Sequence, residues 1–173
     1  MAEGVGVNLL VTGRPGVGKT TLVEAVVASL PGATGFFTRE MRERGARLGF
    51  SIHTLDGQTA VLAHVQLRTG PRVGRYRVDL GNLEAVAVPA IAPRPGVRLI
   101  VVDEIGRMEC LSRRFCDAVR EALDSPTPLL ATIAREGGGF IAEVRRRPDV
   151  TLLAVTPETR EVLQARILGD LGL

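Results

Sequence analysis

The stretch Gly13-Arg14-Pro15-Gly16-Val17-Gly18-Lys19-Thr20 decides the fold of this chain. It matches the pattern Gly, four variable residues, Gly, Lys, then Ser or Thr, which forms a loop around phosphate groups. Glycines let such a loop turn its backbone N–H groups toward an anion without a clashing Cβ. Lys19 adds a cation for the β- and γ-phosphates, and the Thr20 hydroxyl is a ligand for Mg²⁺.

The sequence on both sides of this loop supports the match. Val7 to Val11 is apolar and rich in strand formers, as expected of a buried parallel strand. After the loop, apolar residues recur at helical spacing until Pro31-Gly32, namely at Leu22, Val23, Val26, Val27 and Leu30. A chance glycine-rich turn is the alternative, but the strand–loop–helix order and the Lys-Thr ending disfavour it. We predict that residues 13–20, together with Thr21, bind the phosphates of a nucleotide.

Length and composition limit the remaining choices. The 173 residues are sufficient for one domain with a substantial core, and we expect a single domain spanning 1–173. The net charge of +3 is mild, and aromatic residues are only 3% of the chain. Scarce aromatics disfavour a base-stacking surface for single-stranded nucleic acid, so a nucleic-acid partner is not indicated.

The absence of a targeting signal and the small number of cysteines indicate a cytoplasmic protein. The N-terminus lacks the basic flank and apolar core of a signal peptide, and no apolar run is long enough to cross a bilayer. Cys110 and Cys116 are too few and wrongly spaced for a disulfide framework or a zinc site. We therefore expect a cytoplasmic protein with reduced thiols and without a membrane partner. We also expect it to be a monomer.

After the first helix, the pattern predicts strands before it predicts helices. The expected strands lie at 33–38, 48–55, 58–62 and 77–80. Asp56-Gly57 favours a tight turn that joins the second and third of them in an antiparallel hairpin. The charged run 39–47 and the turn-rich stretch 63–76 receive no strand.

The second half of the chain alternates strands with helices. Strands are predicted at 97–102, 129–133 and 151–155. Helices are predicted after caps at Gly81-Asn82, Ser112 and Thr156, the last with Pro157 at its first position, and after the break at 137–139. This alternation predicts a three-layer α/β fold whose mainly parallel sheet is covered on both faces. The hairpin is expected as an insertion or edge element.

A second motif closes the most strand-like run of the chain. Four apolar residues precede Asp103, an arrangement that resembles the Walker B strand of nucleotide-binding proteins. Because ligands lie at the carboxyl ends of strands in α/β sheets, we predict that Asp103 holds Mg²⁺ together with Thr20. Glu104 offers a second carboxylate that can orient or deprotonate a water aimed at the γ-phosphate. The plainer alternatives are a strand-end acid for Asp103 and a solvated loop acid for Glu104.

Further polar residues are ambiguous from the sequence. Phosphoryl transfer gains from a guanidinium, but spacing does not choose among Arg39, Arg42, Arg44, Arg47, Arg75, Arg107 and Arg160. The cluster Arg145 to Arg147 is either a phosphate-closing lid or a solvated helix end, and the second is favoured. Thr132 is either a polar sensor of the γ-phosphate or simply a strand residue.

Several segments together match one known family. In chain order they are Gly35-Phe36-Phe37-Thr38, Glu40-Met41-Arg42, Gly45 with Arg47-Leu48-Gly49-Phe50, Val73-Gly74-Arg75-Tyr76-Arg77-Val78, Asp103-Glu104-Ile105-Gly106-Arg107-Met108-Glu109, and finally Thr156 with Arg160. This order resembles the THEP1-type nucleoside-triphosphatases over essentially the whole chain. The Asp-Glu-Ile-Gly and Gly-Phe-Phe-Thr segments are far more specific than the phosphate loop alone.

The resemblance implies a fold, an activity and several residue roles. It implies a P-loop NTPase fold with a RecA- and AAA-like core, and hydrolysis of several nucleoside triphosphates with little base selectivity and low turnover. It also implies that Lys19 contacts the phosphates, that Asp103 holds Mg²⁺ and that Glu104 acts on the attacking water.

The resemblance also ranks the arginines. Arg42 and Arg47 match positions where the family keeps arginine, so they become the charge-stabilising candidates. Arg107 stands where many relatives carry lysine, which leaves the charge in place but not its geometry. Arg160 stands where P-loop folds often approach the base, so we expect it to contribute to nucleotide binding.

The sequence thus predicts a Mg²⁺-dependent nucleoside-triphosphatase that acts on ATP, GTP and other nucleoside triphosphates. A nucleotide or nucleoside kinase of the same fold is the main alternative; Glu104 favours hydrolysis and the cluster at 145–147 favours a kinase. A nucleotide-gated binding module without catalytic function is the third hypothesis. A translational-type GTPase is disfavoured because the Asn-Lys-x-Asp guanine-reading motif is absent.

Overall fold

The computed structural model describes residues 6–172; residues 1–5 and 173 of the expected domain lie outside the described residues. The strands of its sheet are β1 (Asn8–Thr12), β2 (Ala33–Glu43), β3 (Ala46–Thr54), β4 (Thr59–His64), β5 (Arg72–Val73), β6 (Tyr76–Val78), β7 (Leu99–Ile105), β8 (Leu129–Ile133) and β9 (Val150–Ala154). Their order across the sheet is β5-β6-β4-β3-β2-β7-β8-β1-β9. The run from β2 to β9 is parallel, and β3, β4, β6 and β5 extend it in antiparallel fashion.

Helices connect these strands and cover the sheet. They are α1 (Lys19–Ala28), α2 (Leu80–Asn82), α3 (Val88–Ala90), α4 (Arg113–Asp124), α5 (Gly139–Arg145) and α6 (Arg160–Asp170). A π-helical turn at Leu83–Ala87 joins α2 to α3, and a 3₁₀ turn at Glu109–Leu111 precedes α4. Within residues 6–172, no helix has the length and apolar character needed to cross a bilayer.

Alternation along the strands builds two cores, one on each face of the sheet. In β1, Leu9 and Val11 pack with α1 and α6, whereas Leu10 packs on the opposite face with α4 and α5. Neighbouring side chains of a strand point to opposite faces, so a strand that is apolar throughout must be covered on both sides. All five residues of β1 and of β8 are buried accordingly. The predicted three-layer α/β fold is confirmed.

The antiparallel part of the sheet is larger than predicted. The charged run was expected to end the strand at Thr38, but β2 continues to Glu43 and pairs with β3 from Phe36 to Glu43. Arg44 and Gly45, both with positive φ, form the tight turn between the two strands. Charged residues are tolerated because this end of the hairpin is largely exposed. The hairpin at Asp56-Gly57 is confirmed, and β5 and β6 lie in and beside the unassigned stretch 63–76.

Two helix starts differ from the prediction. The cap of α2 is Asp79, whose carboxylate accepts the Asn82 N–H at 2.9 Å, rather than Gly81-Asn82. The cap of α6 is Thr159 rather than Thr156, because Thr156 and Pro157 lie in a turn closed by the Thr156 N–H donating to Thr159 Oγ1 at 2.9 Å. The predicted Ser112 cap of α4 is confirmed, with Ser112 Oγ accepting the Phe115 N–H at 3.0 Å.

Candidate functional site

The loop 13–18 turns directly from the buried strand β1 into α1. Gly18 is the N-cap of α1 with φ 99°, a left-handed conformation that L side chains rarely adopt. Lys19 is then the first helical residue, so the unpaired N–H groups and positive end of α1 face the loop. The loop is therefore built to hold an anion at the carboxyl edge of the sheet.

The parallel register brings three strand ends to this same edge. Val11 of β1 is level with Thr132 of β8, and Val102 of β7 is level with Ala131. Asp103 lies inside β7 rather than after it, and only 2% of the residue is exposed. Its neighbours in the sheet therefore fix the direction of its carboxylate.

Two hydroxyls hold the Asp103 carboxylate in place. Thr20 Oγ1 donates to Oδ2 at 2.9 Å, and Thr132 Oγ1 donates to Oδ1 at 2.5 Å. Burial raises the pKa of Asp103, and the bonds from Thr132 and Thr20 oppose that rise by favouring the charged form. Thr132 is fully buried, so its hydrogen bond to Asp103 is shielded from solvent.

These oxygens fit the chemistry of Mg²⁺. The ion prefers oxygen ligands and usually takes one or two carboxylates plus substrate phosphates, rather than a cage of protein side chains. Among the described residues, no group of three or more His, Cys, Asp and Glu side chains could form such a cage. The paired Thr20 and Asp103 oxygens are therefore the candidate Mg²⁺ ligands.

Glu104 is the last residue but one of β7, and its carboxylate lies close to the phosphate loop. Its Oε2 lies 3.8 Å from Lys19 Nζ, which also donates to the Gly13 carbonyl oxygen at 3.1 Å. Burial and the nearby Asp103 raise the pKa of Glu104, whereas Lys19 lowers it. Glu104 lies in β7 rather than in a loop, and 34% of its side chain is exposed, so its action on a water stays a prediction.

A second, unpredicted carboxyl group lies beside Glu104. Glu109 is 5% exposed, and its burial together with the Glu104 and Asp103 charges raises the pKa of Glu109 well above its ordinary value. Gly106 separates the two acids: a Cβ built there would lie 2.5 Å from Glu104 Oε1 and 2.9 Å from Glu109 Oε2. Both carboxyl groups thus occupy the space beside the Gly106 Cα.

A cavity of about 400 Å³, here named the P-loop cavity, opens in front of these groups. One wall is the loop with Lys19 and Thr20; the other is the β2–β3 hairpin with Thr38, Glu40, Arg47 and Phe50; Glu104 and Arg135 also line it. Sequence reasoning missed Arg135, although its position just after β8 at the carboxyl edge could have suggested it. Glu40 belongs to the segment Glu40-Met41-Arg42 of the family resemblance, which implied no role for it.

Two further cavities adjoin the P-loop cavity. The side cavity, of about 570 Å³, is lined by Thr12, Gly13, Arg14, Val17, Arg135, Glu136, Arg145, Ala154, Val155, Thr156, Pro157 and Glu158. The other, here named the apolar cavity because most of its lining surface is apolar, has a volume of about 300 Å³. It is lined by Thr20, Thr38, Phe50, Leu62, Val73, Asp103, Glu104, Arg107, Met108, Glu109 and Ala134. The site thus extends from the P-loop cavity into two neighbouring cavities.

The structure separates the predicted arginines. Arg47 lines the P-loop cavity, whereas Arg42 lies near the tip of the hairpin, bonded to Glu40 and to the Gly45 carbonyl oxygen, and lines none of the three cavities. Arg160 lies against Gly18, where a Cβ would be 2.8 Å from its Nη1, on the outer side of the loop. Thr21 is exposed on α1 and also lines none of these cavities. Their predicted roles stay predictions.

The three arginines of the cluster at 145–147 have different surroundings. Arg145 Nη1 donates to the Ala134 carbonyl oxygen at 3.1 Å and lies 3.4 Å from Thr12 Oγ1, beneath the loop. Arg147 is 20% exposed and forms ion pairs with Asp149 and Asp124, both at 2.6 Å. Arg146, in contrast, is exposed, as expected of a solvated helix end, so only Arg145 and Arg147 depart from that alternative.

Comparison with known proteins agrees with this geometry. A family model described as NTPase matches residues 8–168. The chain is 42% identical over 165 residues to the nucleoside-triphosphatase THEP1 of Thermotoga maritima, covering 95% of both chains. It is 40% identical to the human cancer-related nucleoside-triphosphatase, covering 90% of this chain and 92% of that protein. The crystal structure of THEP1 from Aquifex aeolicus superposes with a TM-score of 0.87 at 34% identity, covering 96% of this chain and 99% of that one. The chain therefore belongs to the THEP1 family of nucleoside-triphosphatases.

Proposed function

We propose that this protein is a Mg²⁺-dependent nucleoside-triphosphatase that converts ATP, GTP and other nucleoside triphosphates to the diphosphate and phosphate. One observation carries the proposal: the Glu104 carboxylate lines the same cavity as Lys19 and Thr20. A carboxylate there is within reach of a water placed behind a γ-phosphate seated in the loop. The names of the relatives, all nucleoside-triphosphatases, support the same activity.

The residues divide the reaction between them. The loop N–H groups and Lys19 hold the β- and γ-phosphates, while Thr20 and Asp103 supply oxygen ligands for Mg²⁺. Bound Mg²⁺ would offset negative charge on the phosphate oxygens. Glu104 accepts a proton as the water oxygen bonds to the γ-phosphorus, and the bond from that phosphorus to the bridging oxygen breaks. The nucleoside diphosphate leaves with the released electron pair.

Arg47 is the guanidinium that we place near the developing charge. It lines the P-loop cavity opposite the loop, which favours it over the more exposed Arg42. A fixed guanidinium is worth most in phosphoryl transfer when it is already oriented before the reaction.

We also propose that the protein is located in the cytoplasm and is a monomer.

A kinase is the second candidate, and the apolar cavity is the observation that favours it. This space shares Glu104 with the P-loop cavity. Its lining includes Phe50, Leu62 and Met108 beside the ionisable Asp103, Arg107 and Glu109, so an acceptor with both an apolar and a polar part fits next to Glu104. In that case Glu104 would accept a proton from an acceptor hydroxyl instead of water.

Product analysis distinguishes the two candidates. ATP, GTP, CTP and UTP are incubated with the protein and Mg²⁺, with and without a panel of nucleosides and nucleoside monophosphates. The nucleoside-triphosphatase proposal predicts stoichiometric release of phosphate that does not depend on the acceptor. Phosphate that appears on an acceptor instead of in solution would contradict it and favour the kinase.

A further inference from the structure

Arg47 belongs to a polar and aromatic cluster on the wall of the P-loop cavity that faces the loop. The cluster comprises Arg47 on β3, Tyr76 on β6, Phe50 and Glu40. Arg47 and Tyr76 are 29 residues apart in sequence, and β4 lies between their strands in the sheet. The side chains therefore meet across the face of the sheet rather than as neighbours on one strand.

Tyr76 fixes the inner end of the guanidinium. Arg47 Nε donates to Tyr76 Oη at 2.9 Å, and Tyr76 is only 7% exposed. Arg75 Nη2 donates to the Arg47 carbonyl oxygen and also lies 3.4 Å from Tyr76 Oη. Arg75 thus holds the backbone of Arg47, and the adjacent Tyr76 holds its Nε.

Two aromatic rings limit the remaining freedom of the guanidinium. Its central carbon lies 5.2 Å from the centroid of the Phe50 ring and 5.8 Å from that of Tyr76, within the range of cation–π attraction. The two rings contact each other edge to face at 5.4 Å. Arg47 therefore enters the reaction with its plane already set, which lowers the entropy lost when it binds an anion.

The outer end of the same guanidinium has a weaker partner. Arg47 Nη1 lies 3.1 Å from Glu40 Oε1, and Glu40 is shared with Arg42 at 2.7 Å. Both partners of the Arg47–Glu40 pair are about two-fifths exposed, and exposed ion pairs contribute little stability. A triphosphate in the P-loop cavity can therefore replace Glu40 at Nη1 while Nε stays on Tyr76.

We propose that Tyr76 is a positioning residue for phosphoryl transfer: its hydroxyl anchors Arg47 through Nε, so that the outer nitrogens of Arg47 meet the triphosphate. This inference rests on the proposed function and adds to it a role for Tyr76, to which the sequence assigned none. A residue of this kind improves the transition state more than it improves substrate binding, because it orients a group that is already present.

The kinetic test uses Tyr76→Phe, which keeps the ring between Phe50 and Arg47 and removes only the hydroxyl. We expect kcat to fall roughly fivefold to thirtyfold, with KM changed by less than about threefold. In an Arg47→Lys background, which keeps a charge but has no Nε, Tyr76→Phe should cause no further loss. Arg77→Gln serves as the control, since this arginine follows Tyr76 on β6 but donates to the Gly70 carbonyl oxygen. A Tyr76→Phe loss of equal size in both backgrounds would show a merely structural role and overturn the proposal.

The chain offers an independent spectroscopic readout. It has no tryptophan, and Tyr76 is its sole tyrosine, so tyrosine emission reports on this one hydroxyl. Binding of the β,γ-imido analogue of ATP with Mg²⁺ should change the emission of the wild type. The same analogue should leave the emission of Arg47→Ala unchanged, although calorimetry still detects binding. An equal change in Arg47→Ala would contradict the proposal, because the emission change would then not depend on the bond between Arg47 and Tyr76.

Failure of this inference is distinguishable from failure of the proposed function. If the wild type releases no phosphate, the proposed function is wrong. If the wild type releases phosphate and Glu104→Gln releases it at the same rate, the proposed role of Glu104 is wrong. If the wild type is active and Glu104→Gln is not, while Tyr76→Phe retains full kcat, only the role of Tyr76 is wrong.

Discussion

Lys19 Nζ lies 3.8 Å from Glu104 Oε2, so the cation of the phosphate loop and the carboxylate of β7 form an ion pair in the lining of the P-loop cavity. The side chain of Lys19 is only 14% exposed. A triphosphate entering the loop draws Lys19 onto its β- and γ-oxygens and leaves Glu104 free to hold water. The pairing thus connects the binding group of the proposed reaction to its general base.

The first prediction concerns Lys19 itself. In Lys19→Ala, loss of a charge-assisted contact to phosphate should cost about 2–3 kcal/mol or more of nucleotide binding, with activity lost alongside. Lys19 is also the sole lysine of the chain, so a lysine-selective acylating reagent should inactivate the wild type, and MgATP should protect it. The measurements are calorimetric affinity and residual phosphate release. A folded Lys19→Ala variant that binds nucleotide with wild-type affinity would contradict the assignment of residues 13–20 as the phosphate-binding loop.

The second prediction is low base selectivity. We expect the base to enter the side cavity, which shares Gly13 and Arg135 with the P-loop cavity. None of the described residues that line the side cavity is aromatic, and its polar side chains are charged or hydroxylic rather than arranged as an amide pair for one base. The catalytic efficiencies for ATP, GTP, CTP and UTP should lie within roughly tenfold of one another, about 1.4 kcal/mol in transition-state binding. A preference on the order of a thousandfold for one base would reveal a specificity pocket that this account lacks.

The third prediction tests the metal ligands. Asp103→Asn removes the charge opposite Thr20 while keeping its shape, so nucleotide affinity in the presence of Mg²⁺ should fall about tenfold or more. With EDTA present, the variant and the wild type should bind nucleotide equally weakly. Asp117→Asn is the matched control, because Asp117 is 59% exposed and pairs with Arg120 far from the loop. Equal loss of affinity with and without Mg²⁺ would argue against a metal role for Asp103.

The fourth prediction is a pH dependence of stability from Glu109. In the unfolded chain this acid titrates near its ordinary value of 4.5, whereas in the fold its pKa is raised well above that value by burial. The stability contributed by neutral Glu109 is complete below the unfolded pKa and is lost as pH rises through the folded pKa. Glu109→Gln should therefore melt above the wild type at about pH 8, and the difference should close toward about pH 4.

The expected size of the change in melting temperature follows from the length of the chain, and a second glutamate serves as the control. Each kcal/mol recovered should raise the melting temperature by about 2–4 °C. Glu121→Gln, on the exposed side of α4, should change it little at either pH. A Glu109→Gln protein that melts below the wild type by the same amount at both pH values would show that the carboxylate is stabilising there.

Comparison of sequence and structure separates local from long-range information. The loop 13–20 and the pair Asp103-Glu104 were predictable because their spacing and their place at strand ends already specify their chemistry. The extension of β2 to Glu43 was not predictable in this way, because its charged residues pair with β3 without being buried. The contact between Arg47 and Tyr76 depends on strand order, which periodicity does not reveal. The burial of Glu109 likewise depends on how the turn after β7 packs on the sheet.

The central claim is that Glu104 activates the attacking water, and Glu104→Gln tests it most directly. The substitution keeps the size of the side chain and removes its basicity, while Lys19, Thr20 and Asp103 stay in place. Loss of general-base assistance should lower the rate about a hundred- to ten-thousandfold. Equilibrium binding of ATP with Mg²⁺ and single-turnover phosphate release are measured on the same preparation. The account predicts near wild-type affinity with ATP held unhydrolysed; phosphate release at the wild-type rate would contradict it.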